Sequence, residues 1–289
     1  MIIVLPLLHM SGSSSRPFLA SWNTDPLLLG MLLLSAFAYA LAWRHLQRSG
    51  RRTPPNRQLV AFAGGMFSLT VALLGPFDTF NDDLFLVHML QHVTLMLVAA
   101  PLLVLGRPVQ LALQAIPPHH SGPVIRRVLR KRWIRTTLSA LTNAGVVFLL
   151  FNVNLVVWHL PAIYTAALRN NTLHLAEHIA FFSTSLLFWW AIIDPIPRHH
   201  RLESHLAILL LFTTGAVGEL LGLALTLAPR VLYPFYAGTT NPWGLTPLAD
   251  QHLSGLIMLV SGTLVYFGAI FWFLSRCVQP QSIADDLRV

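Results

Sequence analysis

Seven long apolar segments dominate the pattern of hydrophobic and polar positions along the chain. Each has about twenty residues, the length that an α-helix needs to cross the hydrocarbon core of a bilayer, and polar connections separate them. The segments are 26–44, 58–76, 84–106, 136–158, 174–193, 205–228 and 251–274. This pattern predicts an all-α, polytopic membrane protein, a bundle of seven transmembrane helices.

The composition agrees with the membrane class. Of the 289 residues, 55% are hydrophobic and 10% are charged, whereas soluble domains carry about 25% charged residues. In a soluble chain the formal net charge of +8 would suggest a nucleic-acid partner. Here the basic residues lie in a few connections, as membrane topology requires, so we expect no nucleic-acid partner. The one cysteine, Cys277, excludes a disulfide within the chain and a cluster of thiolate ligands.

The basic residues also predict the orientation. All lysines and arginines except Arg16, Arg169 and Arg230 fall on one side of a seven-span arrangement. That side is cytoplasmic by the positive-inside rule, so the amino terminus lies outside and the carboxyl terminus inside. We expect a basic interfacial helix that contacts membrane lipid in the long connection 107–135. The expected organisation is a periplasmic tail (1–25), a transmembrane domain (26–275) and a cytoplasmic tail (276–289).

Polar residues within the apolar segments collect near the predicted outer side. His88 and His92 lie one helical turn apart in the third segment, and His174 and His178 repeat this spacing in the fifth, with Glu177 beside them. Polar groups at membrane depth usually face the protein interior, where they serve packing or a site. Further candidates near this side are Gln91, Met96, His159, Glu219, Asp250 and His252.

Structural roles compete with functional ones for several of these residues. Paired histidines can simply hydrogen-bond a neighbouring helix. His159 could end the fourth segment, His252 could anchor the seventh, and Asp250 could cap it. Glu219 is harder to explain structurally, because an unpaired carboxylate in the hydrocarbon is costly. It must be protonated, paired or bound to a cation.

Imidazoles with carboxylates and thioethers, and without thiolates, form a ligand set for copper or zinc, and thioethers favour Cu(I). Met89 and Leu175 follow the first histidine of each pair, so the HEXXH pattern of zinc proteases is absent. Histidines at matching depth could instead hold haem. The expected metal ligands are His88, His92, His159, His174, His178 and His252, with Gln91, Met96, Glu177, Glu219 and Asp250 as supporting partners.

Three blocks of the sequence resemble those of a known family. They are HMLQHVTLMLVAAPLLVLGRP, WHLPAIYTAALRNNTLHLAEHIAFFSTSLLFWW and LYPFYAGTTNPWGLTPLADQHLSGLIM, within residues 80–275. In order and spacing they resemble the multi-span CtaG family, assembly factors for bacterial cytochrome c oxidase. The resemblance implies a seven-span protein of the cytoplasmic membrane that supplies copper to a haem-copper oxidase. The matching polar positions are His88, Gln91, His92, His159, His174, Glu177, His178, Asp250 and Gln251, whereas the family more often has glutamine in place of His252.

We therefore expect a non-enzymatic, copper-handling assembly factor of the bacterial inner membrane. Cu(I) would enter from the periplasm, where copper chaperones are further partners, and pass to subunit I of the oxidase. His88 and His92 would hold it with help from His174 and His178, while Glu219 and Asp250 would orient histidines or balance charge. Two other functions stay open: a haem-binding or electron-transfer protein, and a metal-free assembly scaffold.

Overall fold

The computed structural model describes residues 18–49, 54–116, 131–141, 143–193, 202–239, 241 and 243–278. Residues 1–17 of the outer tail, 117–130 of the third connection and 279–289 of the carboxyl tail therefore lie outside the described residues. Within the described part, all regular structure is helical. The α-helices are α1 (Pro26–Arg48), α2 (Asn56–Leu73), α3 (Pro76–Phe80), α4 (Phe85–Val93), α5 (Ala100–Gly106), α6 (Pro108–Ala115), α7 (Arg132–Leu141), α8 (Ala144–Trp158), α9 (Pro161–Leu168), α10 (Asn171–Ile193), α11 (Ser204–Thr226) and α12 (Pro247–Val278).

The described helices confirm a multi-pass membrane protein. Six helical stretches, two of which join consecutive helices of this series, are long and apolar enough to cross a bilayer. They are Pro26–Arg48, Asn56–Phe80, Phe85–Ala115, Asn171–Ile193, Ser204–Thr226 and Pro247–Cys277. The predicted segment 136–158 differs from the expectation of one straight helix, because α7 and α8 meet at an angle of 68°. Asn143 explains the new start, since its side chain accepts a hydrogen bond from the Val146 N–H and caps α8. The total is seven if this bent pair is one span.

The third predicted segment is a composite helix. After α4, residues Thr94–Ala99 form a π-helical stretch before α5 begins. The Met96 carbonyl in this stretch accepts hydrogen bonds from the Ser185 hydroxyl (2.7 Å) and the Trp189 indole N–H (3.0 Å). Both donors belong to α10, so the irregular stretch fixes α4 and α5 against the helix that carries the second histidine pair. Such stretches often occur at functional sites.

Helices α11 and α12 approach each other closely through small residues. A Cβ atom added at Gly255 would lie 2.6 Å from the Gly222 carbonyl oxygen, so only glycine fits at this crossing. Asp250, one turn before Gly255, contacts the first residues of α4. The amino-terminal ends of α4, α10 and α12 thus meet at one end of the bundle, as the predicted depths of the polar residues require.

Candidate metal centre

Four histidines and one glutamate meet inside the bundle where α4 packs against α10. His88 and His92 come from α4, and His174, Glu177 and His178 from α10. All are buried except His174, which is half-buried. The i, i+4 spacing in each helix places both pairs on the facing sides of α4 and α10, so the structure brings the two pairs together.

The donor atoms are close enough to share one ion. The Nε2 atoms of His88 and His92 lie 2.9 Å apart, and the Glu177 carboxylate lies 4.0 Å from the first and 3.9 Å from the second. Two sets of three have ligand atoms within 4.8 Å of one another: His88, His92 and His178, and His88, His174 and Glu177. His88 belongs to both sets and is the centre of the cluster.

Several side-chain atoms of the cluster that could bind a metal have no hydrogen-bond partner among the described residues. They are both carboxylate oxygens of Glu177, Nε2 of His178 and Nδ1 of His92. Buried polar groups in native proteins are normally hydrogen-bonded, and a buried carboxylate needs a proton or a cation nearby. A cation bound among these atoms would give them the partners that they lack.

A hydrogen-bond chain orients the central histidine. Tyr236 donates its hydroxyl proton to the Asn81 carbonyl (3.1 Å) and also lies 2.9 Å from Nδ1 of His88. Burial raises the pKa of Tyr236 well above its usual value, so the phenol keeps its proton. For both contacts to be hydrogen bonds at once, Nδ1 of His88 must donate. A neutral His88 then carries its lone pair on Nε2, towards the cluster.

The same reasoning fixes the proton of the second histidine. Because Nε2 of a neutral His88 has no proton, the 2.9 Å contact to His92 requires His92 to donate from Nε2. A cation binding between the two rings would replace this proton. The proton would move to Nδ1 of His92, so the imidazole stays neutral while an ion occupies the cluster.

Asp250 fixes the helix that carries this pair. Its two carboxylate oxygens accept hydrogen bonds from the backbone N–H groups of Phe85 (2.8 Å) and Leu86 (2.9 Å). Leu84 precedes α4 and provides no capping side chain, so α12 supplies the cap from a distance of 164 residues in sequence. The alternative that Asp250 caps its own helix is wrong, because Thr246 accepts the Ala249 N–H there. Asp250 therefore contacts the backbone at the start of α4 rather than a histidine side chain.

Replacing Asp250 by alanine should lower the free energy of unfolding by about 2–5 kcal/mol, because one buried and one half-buried N–H group would lose a charged acceptor. Thermal unfolding in detergent measures this effect. Asp25→Ala is the matched control, since half-buried Asp25 caps α1 through two N–H groups in the same way. Loss of that cap should cost about 1 kcal/mol. Equal shifts in the two variants would contradict the structural role assigned to Asp250.

Two of the other predicted residues lie beside the cluster. His159 ends α8, and its Nδ1 donates to the Leu155 carbonyl at 2.7 Å, while its Nε2 has no partner among the described residues. Met96 and His159 line a small pocket that His92 also borders. Neither belongs to the two sets of close ligand atoms.

Three predicted residues lie in other surroundings. Nε2 of His252 donates to the Ala228 carbonyl at 2.9 Å. Glu219 is half-buried and accepts a hydrogen bond from the Thr263 hydroxyl at 2.6 Å, so it is paired with α12 rather than with a histidine. Gln91 donates to the Ala72 carbonyl and accepts from the Asn81 amide, which ties α4 to the end of α2. The structure gives these three side chains contacts that serve packing.

Sequence reasoning did not single out Tyr236 or Asn81. Both lie in connections between the long helices, where no helical periodicity marks a residue as buried. Tyr236 lies in the block LYPFYAGTT, which is part of the family resemblance, and that resemblance was the available signal for it. Its burial is visible only in the structure.

A family model described as cytochrome c oxidase caa3 assembly factor matches residues 37–279. Uncharacterized proteins of Mycobacterium bovis and Mycobacterium tuberculosis are each 30% identical over 243 residues, which cover 82% of this chain and 36% of theirs. One of Mycobacterium leprae is 29% identical, over 83% of this chain and 37% of its own. The chain therefore spans about a third of the length of these relatives. No solved structure matches it.

Proposed function

We propose, because this chain belongs to the cytochrome c oxidase caa3 assembly factor family, that it binds copper as cargo and delivers it to the catalytic subunit of an oxidase. The protein would lie in the bacterial cytoplasmic membrane with seven spans, the bent α7 and α8 pair counting as one. The bias of basic residues supports an amino terminus outside, which puts the cluster near the periplasmic side.

The observation that carries the proposal is the unsatisfied donor set around Glu177. Three imidazoles and one carboxylate, buried and without a thiolate, suit copper. A single carboxylate also suits a monovalent ion. Cu(I) with ionised Glu177 and neutral histidines has no net charge, and a neutral group is favoured away from water. A divalent ion at the same place would leave one buried positive charge.

The arrangement also suits release of the ion. His88 and His92 would hold Cu(I) between their Nε2 atoms, with His178, His174 and Glu177 as exchangeable partners. Half-buried His174 is the most exposed member of the cluster, and it would receive the ion from periplasmic donors and pass it on towards subunit I of the oxidase. Transfer by ligand exchange needs no covalent step, so the proposed protein is not an enzyme.

The geometry favours copper over haem. The facing histidines of α4 and α10 lie with their ring centroids 5.0 Å apart for His88 and His174 and 5.2 Å apart for His92 and His178, too close to be axial ligands on opposite sides of a haem iron. A porphyrin ring would have to separate them. A metal-free scaffold has no such geometric conflict, and only measurement distinguishes it from a copper carrier.

Metal content tests the proposal directly. The full chain is purified in detergent, loaded with Cu(I) under reducing conditions and analysed by mass spectrometry. Stoichiometric copper is expected in the wild type, and His88→Ala with His92→Ala should lose the copper held by the cluster. The control is His205→Ala, because His205 is exposed and pairs with Glu203 at 2.8 Å rather than with the cluster.

The same variants are then expressed in cells that lack the wild-type protein, and oxidase activity is measured in their membranes. The double variant should fail to restore the oxidase, whereas the His205 variant should restore it. Equal copper in all three proteins, or restored oxidase without the two histidines, would favour the scaffold and refute copper delivery by this cluster.

A further inference from the structure

The small pocket that Met96 and His159 line lies between α4, α8, α11 and α12, next to the histidine cluster. It has a volume of about 40 Å³, which is enough for a single water molecule or ion. Its lining contains two histidines and three methionines: His92, His159, Met89, Met96 and Met258. All five side chains are buried.

Packing alone explains the methionines but not the histidines. Methionine often fills irregular gaps in a core. Nδ1 of His92 and Nε2 of His159, however, are buried without a hydrogen-bond partner among the described residues. A pocket that served packing only would not leave two imidazole nitrogens unsatisfied in its walls.

Both of these nitrogens carry lone pairs when the histidines are neutral. His159 donates from Nδ1 to the Leu155 carbonyl, so its Nε2 has no proton. His92 donates from Nε2 to His88, at the end of the chain that begins with Tyr236, so its Nδ1 has no proton. The hydrogen bonds of the surrounding protein thus prepare two ligands of this pocket before any ion binds.

We infer that this pocket is a second Cu(I) site, with His92, His159 and the thioethers of Met96 and Met258 as ligands. Thioethers with imidazoles select a soft monovalent ion. The inference rests on the copper-carrying function proposed above. It adds a place where the ion is held by sulfur, and a route by which it moves to the histidine cluster.

His92 connects the two sites. An ion in the pocket uses Nδ1 of His92 while Nε2 keeps its proton and its hydrogen bond to His88. An ion in the cluster uses Nε2, and the proton moves to Nδ1. A neutral imidazole has only one lone pair, so His92 serves one site at a time, and exchange of the ion between sites accompanies exchange of this proton.

X-ray absorption at the copper edge tests the inference, because sulfur and nitrogen neighbours scatter differently. The full chain is loaded with Cu(I) in detergent in three forms: wild type, the cluster variant Glu177→Gln with His178→Ala, and the pocket variant Met96→Leu with Met258→Leu. Leucine nearly conserves the volume of methionine, so the fold should tolerate the pocket variant. Met66→Leu is the control, since Met66 packs against another hydrophobic cluster, formed by α1, α2, Thr94–Ala99, α5 and α6, and does not line the pocket.

We expect both sulfur and additional nitrogen or oxygen neighbours in the wild type and in the Met66 control, because the ion exchanges between the two sites. The cluster variant should show a larger share of sulfur neighbours. The pocket variant should lose the sulfur neighbours and bind Cu(I) at least tenfold more weakly in the cluster-variant background. If the cluster variant does not fold, loss of sulfur neighbours in the pocket variant of the otherwise wild-type chain gives the same answer.

Each failure has its own signature. Copper with nitrogen and oxygen neighbours alone in the wild type, lost in the cluster variant, would overturn the second site and leave the cluster in place. A share of sulfur neighbours that is the same in the wild type and in the cluster variant would support the pocket and refute the cluster. No copper in any form would overturn both, and the pocket would then hold only water.

Discussion

Replacing Glu177 by glutamine should lower the Cu(I) affinity of the histidine cluster by roughly 10- to 1,000-fold. Two opposite unit charges about 4 Å apart attract each other by about 4 kcal/mol at an effective dielectric constant of 20, and about 1.4 kcal/mol is a factor of ten in affinity. That distance matches the separation of the Glu177 carboxylate from Nε2 of His88 and of His92. The effect should fall in the lower part of this range, because the metal-free wild type is itself stabilised when the carboxyl group takes up a proton. Binding of the ion must compensate for the loss of that proton.

Competition with a Cu(I) chelator in detergent measures this affinity. Glu219→Gln is the matched control, because Glu219 is a second carboxylate within the predicted membrane span and contacts Thr263 rather than the cluster. It should bind Cu(I) with wild-type affinity. If the two variants weaken binding equally, the effect comes from membrane carboxylates in general and not from a charge in the cluster.

Much of the site follows from helical periodicity. The i, i+4 pairs define one face on each of two helices, and orientation from the basic residues puts both at the same end of the bundle. The structure brings His88, His92, His174 and His178 together with Glu177 for this reason. The match of residues 37–279 to the family confirms the resemblance that the three sequence blocks indicated.

Helix phase explains why neighbours in sequence have different surroundings. His252 lies two positions after Asp250, which rotates it by about 200° around the helix axis. Asp250 therefore contacts the start of α4, while His252 contacts the Ala228 carbonyl that follows α11. Depth in the membrane was a good guide to which end of the bundle a residue occupies. It carried no information about which side of the helix the residue is on.

Other features depend on tertiary contacts that no local pattern encodes. The π-helical stretch at Thr94–Ala99 is stabilised by donors from α10, so the sequence TLMLVA gives no sign of it. The start of α8 was more accessible to prediction, because asparagine is among the preferred amino-terminal caps and Asn143 occupies that place. Long apolar segments conceal such breaks when only mean hydropathy is considered.

Replacing Tyr236 by phenylalanine should weaken Cu(I) binding by about 10- to 100-fold, the usual effect of losing a residue that orients a metal ligand. The variant removes the acceptor for Nδ1 of His88. His88 is then free to carry its proton on Nε2, where it blocks the lone pair that the ion needs. Chelator competition gives the affinity, and nitrogen NMR of the imidazoles reports which ring atom is protonated.

Tyr164→Phe provides the control for this experiment. Tyr164 is equally buried and packs its ring 5.3 Å from that of His88, but its hydroxyl approaches Tyr236 at 3.4 Å rather than the histidine. Losing this hydroxyl should leave the His88 tautomer and the affinity close to wild type. A Tyr236 variant with wild-type affinity and an unchanged imidazole spectrum would show that His88 is oriented by packing. The hydrogen-bond chain from Asn81 through Tyr236 and His88 to His92 would then not determine which nitrogens are available to copper.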